Sequence, residues 1–318
     1  MDEREFVRFL KRRFPFHHGV GIGDDASLVR HGDHYQLITQ DILIEDVHFR
    51  LTDISLPDLA MKALAVNLSD IAAMGGLPEY FYLGLGYPER LGPEELKRFF
   101  SGIKKGCRRW GVELAGGDFS RSGQLFIAIS MVGRARRPVR RSGARAGDWI
   151  GITGPTGESA LGLKLLLGGF RDDFFIRRHR IVRPAVAAGQ ILAGCGVNAM
   201  IDVSDGLLLD LERILEASAI GAEIEYRRLP VSARLKNRCR RVGVDERELV
   251  LAGGEDYVLL FTVSPAREKR LRQTGLRYHL IGRIVSGKAL RVNDGGRPLC
   301  LKRHGFDHFQ EPPEVGRR

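Results

Sequence analysis

Cysteine is scarce and unpaired in this chain. The 318 residues include four, Cys107, Cys195, Cys239 and Cys300, and no two form a CxxC pair. That argues against a disulfide frame or a cysteine zinc site and points to reduced thiols in a cytoplasmic protein. Long hydrophobic runs are missing too: no stretch approaches the roughly 20 apolar residues needed to span a bilayer, so no membrane partner is expected. The start, Met1 to Arg13, is charged and lacks an apolar signal core, so no secretory leader is expected. There is no GxSxG elbow, no HExxH helix and no HRD or DFG set. The segment Thr153-Gly154-Pro155-Thr156-Gly157-Glu158-Ser159 lacks the GxxxxGK[ST] spacing of a phosphate loop, and Glu158 stands where the lysine is needed. It reads as a plain helix start.

What is present is an ordinary globular balance, 43% hydrophobic and 28% charged, with a net charge of +11. The length suits two domains of roughly 100–200 residues. The excess of basic residues favours anionic partners, either phosphorylated small molecules or nucleic acid. The arginines come in short bursts without interleaved aromatics, unlike a base-stacking surface. Apolar runs at Tyr35–Gln40, Tyr80–Gly86 and Leu125–Val132 read as strands. Between the first two, Ser55 and Pro57 start a helix over Asp58–Met74 that Gly75-Gly76 ends. A second helix spans about Pro93 to Trp110. Strands are expected again at Trp149–Thr153, Ala199–Val203, Leu259–Val263 and Tyr278–Ile284, with helices near 159–167, 185–195 and 207–218. The alternation gives an α/β or α+β fold with domains at 1–140 and 141–311 and a disordered tail at 312–318.

The informative pattern is a set of acidic residues expected in turns beside apolar elements: Asp24-Asp25, Thr39-Gln40-Asp41, Ser69-Asp70, Gly116-Gly117-Asp118, Asp202-Val203-Ser204-Asp205, and Glu255-Asp256. One Asp beside Gly is usually a turn or a helix cap. Six such segments can instead converge on a cleft, where carboxylates stay ionised together only with cations among them. Mg²⁺ takes hard oxygen ligands and shares them with substrate phosphates, which suits phosphoryl transfer. On the Asp58–Met74 helix, Ala63, Asn67, Asp70 and Met74 share one inward face, and an inward Asp is costly unless paired or metal-bound. Asp202 and Asp205 flank a strand end, where one alone would read as an N-cap of the next helix and the pair reads rather as a ligand site.

Together the stretches GIGDDAS (21–27), TQDILIEDVHF (39–49), KALAVNLSDIAAMGGLP (62–78), GGD (116–118), RSGARAGDWIGITG (141–154), DVSDGLLLDL (202–211) and GGEDYVLLFTV (253–263) resemble the thiamine-monophosphate kinases, of the superfamily that includes aminoimidazole ribonucleotide synthetase. The resemblance covers nearly the whole chain. It implies a two-domain subunit that pairs with a second copy through the N-terminal sheet, with the active site in the cleft between domains. It implies transfer of the ATP γ-phosphate to thiamine monophosphate, giving thiamine diphosphate and ADP, with several Mg²⁺ ions as cofactor and no enzyme nucleophile. Asp25, Thr39, Gln40, Asp41, Asp70, Asp118, Asp202 and Asp205 would hold the metals, with Asp41 and Asp118 the most critical. Gly117, Asp118, Arg141 and Ser204 would contact ATP. His48, Glu255 and Phe306 or Phe309 would contact thiamine monophosphate. Gln40 and Val258 depart from the family pattern, where a hydroxyl residue and an acid are common. Two other readings remain: a relative with a different phosphorylated substrate, and a basic nucleic-acid-binding protein.

Overall fold

The computed structural model describes residues 3–301 and 304–306. The tail expected to be disordered, 312–318, and Phe309 lie outside them. The N-terminal half contains α1 (Glu3–Arg13), β1 (Gly19–Val20), β2 (Ser27–His31), β3 (His34–Ile44), α2 (Leu56–Ala73), β4 (Leu77–Tyr87), α3 (Pro93–Trp110), β5 (Glu113–Arg121) and β6 (Phe126–Ala135). Its strands form one mixed sheet in the order β1-β2-β3-β6-β4-β5. The second half contains β7 (Trp149–Ile152), α4 (Glu158–Leu167), α5 (Asp173–Arg180), α6 (Val186–Cys195), β8 (Ala199–Asp202), α7 (Leu207–Ser218) and β9 (Gly221–Glu225). It continues with α8 (Ala233–Val242), α9 (Glu246–Ala252), β10 (Leu259–Val263), α10 (Pro265–Arg272), β11 (His279–Val285), β12 (Leu290–Asp294) and β13 (Arg297–Pro298). These strands form a second sheet in the order β13-β12-β9-β11-β7-β10-β8. Residues 136–148 connect the two, and we propose the domain division within that connector, at 140/141.

The long helices form where the sequence signals them. Ser55 caps α2, its hydroxyl accepting the Asp58 N–H at 3.3 Å, and Pro57 occupies the first turn. Such a cap contributes about 1 kcal/mol. In α3, Phe99, Ile103 and Gly106 form a buried stripe, and Leu96, Phe100, Cys107 and Trp110 pack beside it against the same core. The strands run further than their apolar cores suggested. β3 has eleven residues because β2 pairs with its first part, 34–38, and β6 with 35–44, so that β6 alone carries the ladder through Thr39-Gln40-Asp41.

The two sheets are covered differently. The second is buried on both faces: every residue of β10 is buried, and its neighbours pack into two separate apolar clusters. The first has α2 and α3 on one face only. On its other face Ile38, Ile42, Leu77 and Tyr82 are exposed. Helix α2 belongs to both halves. Fifteen of its 18 residues are buried, most of them apolar and spread over every side of the helix, as enclosure on all sides requires. Ala72 and Ala73 pack against the second domain, where α6 comes so close that a Cβ at Gly189 would lie 2.1 Å from the Ala72 carbonyl oxygen.

Candidate active site

The site is built where α2, β3 and β8 meet. Alternation along β3 turns Leu37, Thr39, Asp41 and Leu43 toward α2 and Ile38, Gln40 and Ile42 to the open face. On α2, Asn67 fixes this register: its Nδ2 donates to the Ala63 carbonyl and its Oδ1 accepts the Asp41 N–H at 3.1 Å. One turn on, Asp70 accepts the Thr39 hydroxyl. Asp25 enters from the turn before β2, and Asp202 from the end of β8 in the other domain. One carboxylate oxygen from each of Asp25, Asp70 and Asp202 lies within 4.8 Å of the others.

This grouping is electrostatically costly. Burial, followed by the charges of Asp41, Asp202 and Asp25, raises the Asp70 pKa well above the usual carboxylate range. Burial and the Asp25 charge do the same to Asp202, despite the hydrogen bond of 2.6 Å from the Ser69 hydroxyl. Asp41 is raised to about 6 by burial and by Asp205 and Asp25. Counter-charge is supplied at the rim. Arg141 Nη2 lies 2.6 Å from Asp25 Oδ1, while Asp25 Oδ2 is buried with no hydrogen-bond partner. Arg213 reaches Asp205 and Asp210, both at 2.6 Å. Asp210 also accepts the N–H groups of Ser204, Asp205 and Gly206 at 3.1–3.2 Å, which shapes the loop after β8.

A second acidic group borders the first. Glu255 Oε1 meets Lys62 Nζ at 2.9 Å and Oε2 meets His179 Nδ1 at 2.9 Å. Burial alone would raise its pKa, but Lys62 and His179 overcome that and hold it well below the usual range. The Glu255 N–H donates to the Ser204 carbonyl, and the Phe306 N–H to the Asp205 carbonyl, so both residues flank the loop after β8. The Ile44 N–H donates to His48 Nδ1 at 3.1 Å, just beyond β3. An open cavity of about 470 Å³, lined by Phe14, Phe16, Ile22, Asp24, Asp25 and Gln40 among others, lies beside Asp25.

Several of the acidic segments are not turns. Thr39-Gln40-Asp41 lies inside β3, Asp70 in the last turn of α2, and Gly117-Asp118 inside β5. Gln40 points to the exposed face, opposite Thr39 and Asp41, so its side chain does not join the cluster. Asp118 is also apart. Ile42, Ala128, Gly84 and Asp118 are successive cross-strand partners on the exposed face. This places Asp118 three strands from β3, about 14 Å at the usual spacing. Gly117 is required by β4, because a Cβ there would sit 2.0 Å from the Leu83 carbonyl oxygen. The loop 153–159 is a plain helix start: Asp256 accepts the N–H groups of Gly157 and Ser159 at 2.5 and 3.1 Å. Sequence reasoning missed Lys62, His179, Asp210 and Arg213, and it marked Ser69 only as the neighbour of Asp70. Lys62 left one sign, a lone cation in a largely apolar helix.

Residues 23–135 match the model of the AIR synthase related protein N-terminal domain, and residues 145–295 that of the C-terminal domain. The chain is 34% identical to the thiamine-monophosphate kinase of Bacillus subtilis (strain 168), across 98% of this chain and 100% of that protein. It is 38% identical to the thiamine-monophosphate kinase of Escherichia coli (strain K12), across 92% and 93% respectively. Its fold matches the solved structure of AaThiL complexed with AMPPCP and TMP with a TM-score of 0.88, at 32% identity over 97% of each chain.

Proposed function

The chain belongs to the thiamine-monophosphate kinase family of AIR synthase-related proteins, and from that premise we propose that it transfers the γ-phosphoryl group of ATP to thiamine monophosphate, giving thiamine diphosphate and ADP. The observation that carries the reading is the convergence of Asp25, Asp70 and Asp202 from two domains on one small volume. The donor set fits Mg²⁺: hard carboxylate oxygens, a hydroxyl at Thr39, and a buried Asp25 oxygen that no hydrogen bond satisfies. Asp25, Asp41, Asp70, Asp202 and Asp205, with Thr39, would hold the ions. Bound there, Mg²⁺ would offset the repulsion between two anionic substrates and stabilise charge on the transferred group.

The chain's own groups orient and hold. Ser69 fixes one oxygen of Asp202, and Asn67 fixes the β3 backbone at Asp41. Arg141 and Arg213 bring positive charge to the rim, where Arg141 and Ser204 would meet ATP. His48, Glu255 and Phe306 would line the acceptor side. The acceptor phosphate is already anionic at neutral pH, so positioning supplies much of the rate without a general base.

Gly117 and Asp118 enter the reading through a second copy. The face of the first sheet that Asp118 shares carries the exposed Ile38, Ile42, Leu77 and Tyr82, an apolar surface suited to association. Ile38 and Gln40 of that face also line the cavity beside Asp25. A homodimer formed through this face would bring Gly117 and Asp118 of one copy to the cavity of the other. The test is thiamine diphosphate formation from thiamine monophosphate, ATP and Mg²⁺, with EDTA as control. No product, together with turnover of a different phosphorylated acceptor, would overturn the substrate assignment.

A further inference from the structure

Buried lysine is rare, and Lys62 is the one cation of a largely apolar, enclosed helix. Its side chain is 2% exposed, and its partners are Glu255 and the His179 carbonyl oxygen, the latter at 3.4 Å. An ion pair buried this way is seldom a net gain in stability over apolar side chains of the same size. Glu255 adds a second irregularity: its φ of 63° is left-handed, as is the 51° of Tyr257 two residues on. Non-glycine residues hold such angles only where surrounding structure imposes them. Here the imposing contacts are the Glu255 N–H to Ser204 and the Tyr257 N–H to Val203, which pin the segment along the loop after β8.

The exposures order the three side chains. Lys62 at 2% and His179 at 10% are covered, and Glu255 at 27% is the member that reaches open space. Each oxygen of Glu255 is held by a separate cation, from α2 in one domain and α5 in the other. A carboxylate has about four acceptor positions, so oxygens held from behind still face outward for ligand donors.

We propose that Lys62 is a positioning residue that, opposite His179, fixes the Glu255 carboxylate in the orientation that receives the acceptor substrate. This rests on the kinase reading for the identity of that substrate, but not for the geometry. Lys62 touches no substrate; it acts through Glu255. Because it comes from α2, which also carries Asp70, one rigid helix sets both the metal-holding and the acceptor-holding carboxylates.

The test compares wild type with K62M, K62R, H179Q, E255Q and K62M/E255Q, each first shown to be folded by thermal melting. K62M raises the KM for thiamine monophosphate about tenfold or more and leaves the KM for ATP within about twofold. K62R recovers part of the loss, and H179Q shows the same pattern more weakly without emptying the α2 core. K62M has no further effect in the E255Q background. Crystals of K62M show the Glu255 carboxylate displaced or in more than one conformer. A folded K62M with an unchanged KM for thiamine monophosphate, or losses from K62M and E255Q that multiply, would overturn the proposal. If wild type makes no thiamine diphosphate, the kinase reading fails on its own. An unmoved Glu255 in K62M crystals then defeats the positioning claim separately.

Discussion

Two buried acidic groups sit side by side in this molecule and are balanced in opposite ways. Around Asp25, Asp41, Asp70 and Asp202 the carboxylates repel one another, and most are pushed toward holding protons. Glu255, a few residues along the same wall, has a lysine and a histidine on its two oxygens and stays ionised. The first group lacks enough positive charge from the chain and is suited to take it from bound cations. The second brings its own and is suited to present a fixed negative surface.

The largest test of this contrast removes charge from the first group. D41N is expected to lower kcat/KM by about 10³-fold or more with no loss of thermal stability. The same is expected of D118N, and full activity in both variants would end the metal assignment. Mixing the two inactive proteins and allowing subunit exchange should restore about a quarter of wild-type activity if Asp118 acts from the second copy, since half the dimers then carry one intact site. No recovery in a mixture shown to exchange would place Asp118 outside the partner's site. D70N should act in the other direction on stability. In EDTA at neutral pH it removes a repelled buried charge and should stabilise the fold by about 2 kcal/mol, raising the melting temperature a few degrees. It should also lose the further stabilisation that Mg²⁺ gives wild type.

The pH dependence follows from the same shifts. Asp41 binds its proton more tightly folded than unfolded, so the metal-free protein should lose stability as pH rises from about 4 through about 6. Asp70 and Asp202 add to the trend. Excess Mg²⁺ should flatten it, because the ions replace the protons. Melting curves across this range with EDTA or Mg²⁺ would show a stability that rises with pH in EDTA if the grouping is wrong. The smallest effect is S69A, which removes the hydrogen bond to Asp202 across the domains at a cost of about 1 kcal/mol.

Much of the fold was legible locally, because α2 and α3 carry their own punctuation. Ser55, Pro57, Pro93 and Gly111 mark ends through capping geometry that needs no distant partner. The misreadings came where distant partners decide. Glycines made Gly116-Gly117-Asp118 look like a turn, yet Gly117 is there because β4 passes too close for a side chain. Thr39-Gln40-Asp41 looked like a strand end because its polar residues interrupt an apolar run, and it is pairing with the distant β6 that keeps it extended. That alternation also decides Gln40, whose departure from the family pattern costs no inward hydroxyl. Lys62 escaped notice because a lone lysine in a helix ordinarily faces water, and its burial depends on a domain more than a hundred residues away.

Helix α2 has a further consequence. It completes the apolar interior of the first domain and also fills a hollow in the second, through Ala65, Val66, Ala72 and Ala73. A fragment ending near residue 140 would bare that side of the helix to water, and a fragment beginning there would have a hole where the helix belongs. Proteolytic nicking between 136 and 148 should therefore leave two pieces that travel together on a sizing column and melt in a single step, while either piece made alone should aggregate.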